Sequence, residues 1–156
     1  ISTFFGYGYL TKIPGTVTSL VTAIFIYIAY EHLGYNDLKF SIIFFTLLFC
    51  YSFYAVKDAE SEFKNKDPRQ IVIDEVLGQA MPLILVLHLS QNNQLTIPIE
   101  VYYVLSFIFF RFFDILKPFP VSYFDKNFKN YFGIIMDDIM AGLYSMILIY
   151  FISLKF

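Results

Sequence analysis

The chain has 156 residues, of which 58% are hydrophobic and only 15% charged, with a formal net charge of −2. A water-soluble domain of this size keeps too large a surface to hide 20 Phe and 13 Tyr, and the same composition excludes disorder. The acidic balance disfavours nucleic acid as a partner, and a single cysteine, Cys50, excludes an intramolecular disulfide or a cysteine-based zinc site.

In chain order, the first feature is Gly6-Tyr7-Gly8-Tyr9-Leu10-Thr11-Lys12-Ile13-Pro14-Gly15-Thr16. It has the character of an anion-binding loop, with glycines for close backbone approach and a helix N-terminus to follow. It lacks the basic start and leading apolar run of a cleaved signal peptide, and Ile1 as first residue implies a start codon further upstream. Charge-free stretches then predict five spans, at about 17–33, 39–56, 76–90, 97–113 and 138–155. Asp58 to Glu62, flanked by Lys57 and Lys64, reads as a solvated helical extension of the second span. The third is short and holds Pro82, so it is open to tilting, kinking or re-entry. Gln91 to Gln94 mark a turn, Pro98 opens the fourth span, and Pro118 ends its helix. The fold class expected is all-α: a polytopic membrane bundle of four to five helices, a single domain over 1–156.

Nine of the eleven Lys and Arg fall on one side of these spans, leaving only Lys39 and Lys155 on the other. The positive-inside rule makes that side cytoplasmic. Ten of the thirteen acidic residues share it, several at helix ends. Asp74-Glu75 precede the third span, Arg111, Asp114 and Lys117 close the fourth, and Asp137-Asp138 precede the fifth. Ionised groups at a membrane boundary are costly unless paired or bound to a metal, so three such clusters on one face suggest a polar site there. Taken singly, each pair is an ordinary interface residue set, and Arg111-Asp114 an i,i+3 ion pair.

The chemistry suits a divalent cation with a phosphate. Asp74, Glu75, Asp137 and Asp138 offer the oxygen ligands that Mg²⁺ prefers. Arg111 offers a planar fork for phosphate and Lys117 a point charge. Gly78 and Gly142 each lie four residues after an acid. Small residues there would let two helices approach and bring the acid pairs together. His32 and His88 lie toward the other face and read as structural.

The stretches Gly6–Ser19, Ile71–Gln79 (IVIDEVLGQ), Arg111–Pro120 (RFFDILKPFP) and Phe132–Gly142 (FGIIMDDIMAG) resemble the phosphatidylglycerophosphatase A family, in the family's order and over nearly the whole chain. The resemblance implies a Mg²⁺-dependent lipid phosphatase of the bacterial inner membrane that converts phosphatidylglycerophosphate to phosphatidylglycerol. It implies catalytic roles for Asp74, Glu75, Asp114, Asp137 and Asp138, with metal held by Asp74, Glu75, Asp137 and Asp138. Substrate binding would fall to Arg111 and Lys117, with Lys12, Gly15 and Thr16 from the leading segment.

Other phosphatase chemistries fail on inspection. Val56 stands where a cysteine-nucleophile enzyme needs Arg after Cys50, no Asp-x-Asp occurs, and the histidines are on the wrong face. The competing class is a small non-enzymatic transporter or assembly protein. Its pathway would need ionisable residues near mid-membrane, where these spans are almost without charge.

Overall fold

The computed structural model describes residues 13–32, 37–62, 72–128 and 130–155. They form six helices: α1 (Pro14–Glu31), α2 (Leu38–Glu62), α3 (Ile73–Gln91), α4 (Ile99–Leu116), α5 (Val121–Asn127) and α6 (Tyr131–Lys155). Among the described residues there is no strand. Five of the helices coincide with the five expected spans. By length and composition, α2 over Leu38–Asp58, α3 and α6 are long and apolar enough to cross a membrane. The other two fall short for visible reasons. α4 carries Glu100, Arg111 and Asp114 within 18 residues, and α1 starts on the polar Pro-Gly-Thr sequence and ends at Glu31.

Helix ends follow local chemistry. Pro14 opens α1, where a missing N–H costs nothing. Asn130 Oδ1 accepts a bond from the Gly133 N–H and so satisfies one of the free donors at the start of α6. α4 stops at Lys117, which adopts a left-handed conformation before Pro118. α2 is helical to Glu62, as the charged extension suggested.

Pro82 does not break α3; the helix runs unbroken from Ile73 to Gln91 with Pro82 buried. A proline withholds the N–H that would bond the carbonyl four residues earlier, which here is Gly78. That carbonyl faces α6: a Cβ added to Gly142 would stand 2.6 Å from it. Gly142 thus lets α6 come close to a carbonyl that lacks its usual i+4 partner within α3.

α3 and α6 form the largest interhelical contact, with α1, α4 and α5 packed around them. α2 is peripheral: 17% of its apolar window is buried, against 56% for α3 and for α6. One core cluster (Val56, Ile73, Leu77, Ile135) ties α2 to the start of α3 and α6. A second (Leu83, Val86, Tyr102, Ile149) fills the opposite end, and Phe110, Val121 and Ala141 pin α5 beneath α4 and α6. The beginnings of α1, α3 and α6 therefore meet the end of α4 at one end of the bundle.

Candidate active site

That end gathers all three polar clusters. Asp74 and Glu75 occupy the first turn of α3, where carboxylates are favoured by the helix dipole. Arg111 Nη1 bonds Glu75 Oε2 and lies 2.7 Å from Asp114 Oδ2. Ser19 Oγ stands 2.8 Å from Glu75 Oε2 and 2.9 Å from the Gly15 carbonyl, with one proton to share between them. Gly15 is packed so closely that a Cβ there would collide with the Glu75 carboxylate and come within 3.3 Å of Arg111 Nη1. The α1 N-terminus thus faces a protein carboxylate. Gly15 serves close approach, and among the described residues Thr16 makes no hydrogen bond to the cluster. Lys12 and the rest of the Gly6–Lys12 segment lie outside the described residues, as do Lys64, Lys66, Arg69 and Lys129.

A second group lies alongside. Lys117 Nζ is 2.7 Å from Asp137 Oδ2 and 2.6 Å from Asp125 Oδ1 on α5. Burial alone would lower the Lys117 ammonium, but the field of Asp137 and hydrogen bonds to Asp125 and Asp137 hold it above the ordinary lysine range. Between the groups is Asp138, 4% exposed. Its acidic neighbours are Glu75, Asp114, Asp74 and Asp137, and Arg111 also feels its field, but among the described residues no cation lies within ion-pair distance of it. Each acid turns a backbone N–H to use: Asp74 Oδ1 accepts from Glu75, and Asp137 Oδ1 from Asp138.

The helix crossing that brings the acid pairs together is the expected one. A Cβ on Gly78 would stand 2.7 Å from the Asp138 carbonyl and collide with the Phe110 ring. All seven charged residues of the three motifs are therefore in one neighbourhood. Sequence reasoning missed Ser19, Asp125 and Gln79. Gln79, 0% exposed, lies one turn below Glu75 on α3, and both ends of its amide lack a partner among the described residues. Ser19 and Gln79 each stand in a quoted motif, which was the available signal.

Among the described residues, no three His, Cys, Asp or Glu converge as a metal cage, because Glu75 and Asp114 turn to Arg111 and Asp137 to Lys117. The donor chemistry nonetheless fits a hard cation. Asp74, Glu75, Asp114, Asp137 and Asp138 bring carboxylate oxygens, the ligands such an ion takes, to one place beside Arg111 and Lys117.

An apolar helix bundle with carboxylates and two cations gathered at one end suits a membrane hydrolase of phosphoric monoesters, and the comparisons point to that class. The family model for phosphatidylglycerophosphatase A matches residues 1–153. The phosphatidylglycerophosphatase A of Haemophilus influenzae is 35% identical over 96% of this chain and 84% of its own length. That of Escherichia coli is 29% identical over 96% and 79%. A Bacteroides thetaiotaomicron protein provisionally named a phosphatidylinositol-3-phosphatase is 35% identical over 96% and 89%. No solved structure matches the chain. The chain belongs to the phosphatidylglycerophosphatase A family.

Proposed function

We propose that this chain hydrolyses the terminal phosphomonoester of phosphatidylglycerophosphate, with Mg²⁺, at the cytoplasmic face of the bacterial inner membrane. One observation carries the reading. Motifs from α3, α4 and α6 meet as a carboxylate-rich cluster at one end of apolar helices, the level at which a lipid headgroup lies. The names of two relatives supply the substrate, and the Lys/Arg asymmetry supports the cytoplasmic side.

In the reaction water adds to phosphorus, the P–O bond to the headgroup glycerol breaks, and the alkoxide leaves with a proton. Negative charge grows on the non-bridging oxygens, where the Arg111 fork would act most strongly. Lys117 would hold the phosphate in substrate and transition state alike, through a third N–H beyond the two facing Asp125 and Asp137. Arg111 Nη1 is taken by Glu75 and Asp114, so Nη2 is the guanidinium group left for phosphate. Asp138 and Asp74, with Glu75 and Asp137, would hold the metal, and a carboxylate of the cluster would take the proton from water. Mg²⁺, when bound, supplies Lewis-acid polarisation of the phosphoryl group and a more acidic water.

The substrate is tested by phosphate release from phosphatidylglycerophosphate and phosphatidylinositol 3-phosphate in matched mixed micelles. The reading expects kcat/KM to favour the former by about 100-fold, the difference that matched headgroup hydrogen bonds can produce. Preference for the inositol lipid contradicts it and turns the assignment toward the function named for the Bacteroides relative.

A further inference from the structure

α5 has seven residues, and its one carboxylate, Asp125, belongs to none of the expected catalytic or binding sets. Its place is set by an unusual backbone. Lys117, the C-cap of α4, has φ 45° and ψ 58°, the left-handed region where glycine is the easy choice. A lysine there is strained, which points to a use for its side chain at this place. The turn sends the chain back so that buried Val121 packs with Phe110 and Ala141. Asp125 then reaches Lys117 Nζ from α5 at 2.6 Å while Asp137 reaches it from α6 at 2.7 Å.

The three side chains are graded outward, with Asp137 10% exposed, Lys117 30% and Asp125 35%. In a cluster already rich in carboxylates, another acid weakens the attraction for an anion. What Asp125 contributes is therefore position, not charge. Two carboxylates fix an ammonium on a flexible four-carbon stem that one would leave free to swing. We propose that Asp125 is a positioning residue that shares the Lys117 ammonium with Asp137 and so holds it where the lipid phosphate binds. The proposal rests on the lipid-phosphatase reading. It adds that Asp137 is kept from pairing with Lys117 alone, which leaves its oxygens more open to other partners.

The test is a double-mutant cycle on the purified full-length chain with Mg²⁺ and phosphatidylglycerophosphate. Asp125→Asn should raise KM about five- to tenfold, the worth of one charge-assisted hydrogen bond, with kcat within about twofold. Asp125→Glu should recover KM to within about twofold. In a Lys117→Ala background, Asp125→Asn should add no more than about twofold, since the effect passes through the lysine. A second reading needs no turnover: the orthovanadate concentration that half-maximally raises the melting temperature should shift in the same pattern. An unchanged KM, an effect that survives in Lys117→Ala, or a collapse of melting temperature in Asp125→Asn overturns the proposal. Should wild type bind vanadate but not hydrolyse phosphatidylglycerophosphate, the substrate reading fails and the vanadate cycle still decides the role of Asp125. Absence of a vanadate effect on wild type overturns the proposal too.

Discussion

Gly78→Ala is the perturbation whose consequence the geometry defines most tightly. The new methyl would stand 2.7 Å from the Asp138 carbonyl, whereas the shortest comfortable C···O contact is about 3.3 Å. α3 and α6 must therefore part by roughly 0.6 Å, because the obstacle is backbone. The same methyl collides with the ring of Phe110, which is 0% exposed and has nowhere to turn. Overpacking of this kind costs about 1–3 kcal/mol, which the bundle should survive at a lowered melting temperature. The active site should suffer more. Asp74 and Glu75 ride on α3 and Asp137 and Asp138 on α6, and a displacement of about 1 Å is worth roughly 100-fold in rate. We expect phosphate release to fall about 10- to 100-fold in folded, inserted protein. Gly142→Ala meets the Gly78 carbonyl at 2.6 Å and acts on the same crossing. The double variant should therefore fall within about threefold of the worse single one. Wild-type turnover and melting in Gly78→Ala would refute the claim that this crossing sets the acid pairs.

Arg111→Lys should lose about 100-fold in kcat/KM, because a point charge cannot bind Glu75, Asp114 and a phosphate in the fork's geometry; its Mg²⁺ half-saturation should stay near wild type. Complete rescue by added Mg²⁺ assigns Arg111 to the metal site instead. Gln79→Met should raise the melting temperature, since a buried unpaired amide costs about 1–3 kcal/mol. A lowered melting temperature shows that the amide has a partner in the working protein. In a Cys50→Ser background, cysteines at exposed Asn92 and Asn127 should be labelled from opposite sides of the membrane, with Asn127 cytoplasmic; labelling from one side contradicts the topology.

Much of this architecture is legible in the sequence because a membrane helix is defined by what it lacks. Charge-free gaps located five helices, and Pro98 and Pro118 fixed ends that propensity alone leaves vague. The Gly78–Gly142 crossing was legible because small residues one turn below an acid have few other uses at a helix contact. α5 was not, since seven residues of Val-Ser-Tyr-Phe-Asp-Lys-Asn carry no span-length signal. The Lys117–Asp125 pair depends on a left-handed turn at a lysine, a conformation that residue type argues against. Ser19 closed a quoted motif, but its bond to Glu75 on another helix has no local trace. The leading motif carried no sign that Glu75 would lie against Gly15 at the start of α1.

The central claim is that this carboxylate cluster hydrolyses a lipid phosphomonoester with a divalent cation. Its most direct test is inorganic phosphate release from phosphatidylglycerophosphate by purified wild type and Asp138→Asn, each with Mg²⁺ and with excess chelator. The account predicts release by wild type with Mg²⁺ only, and none from Asp138→Asn, because a neutral amide is a poor ligand for a hard cation and cannot act as a base. Full wild-type activity in excess chelator, or undiminished activity of Asp138→Asn, would contradict it.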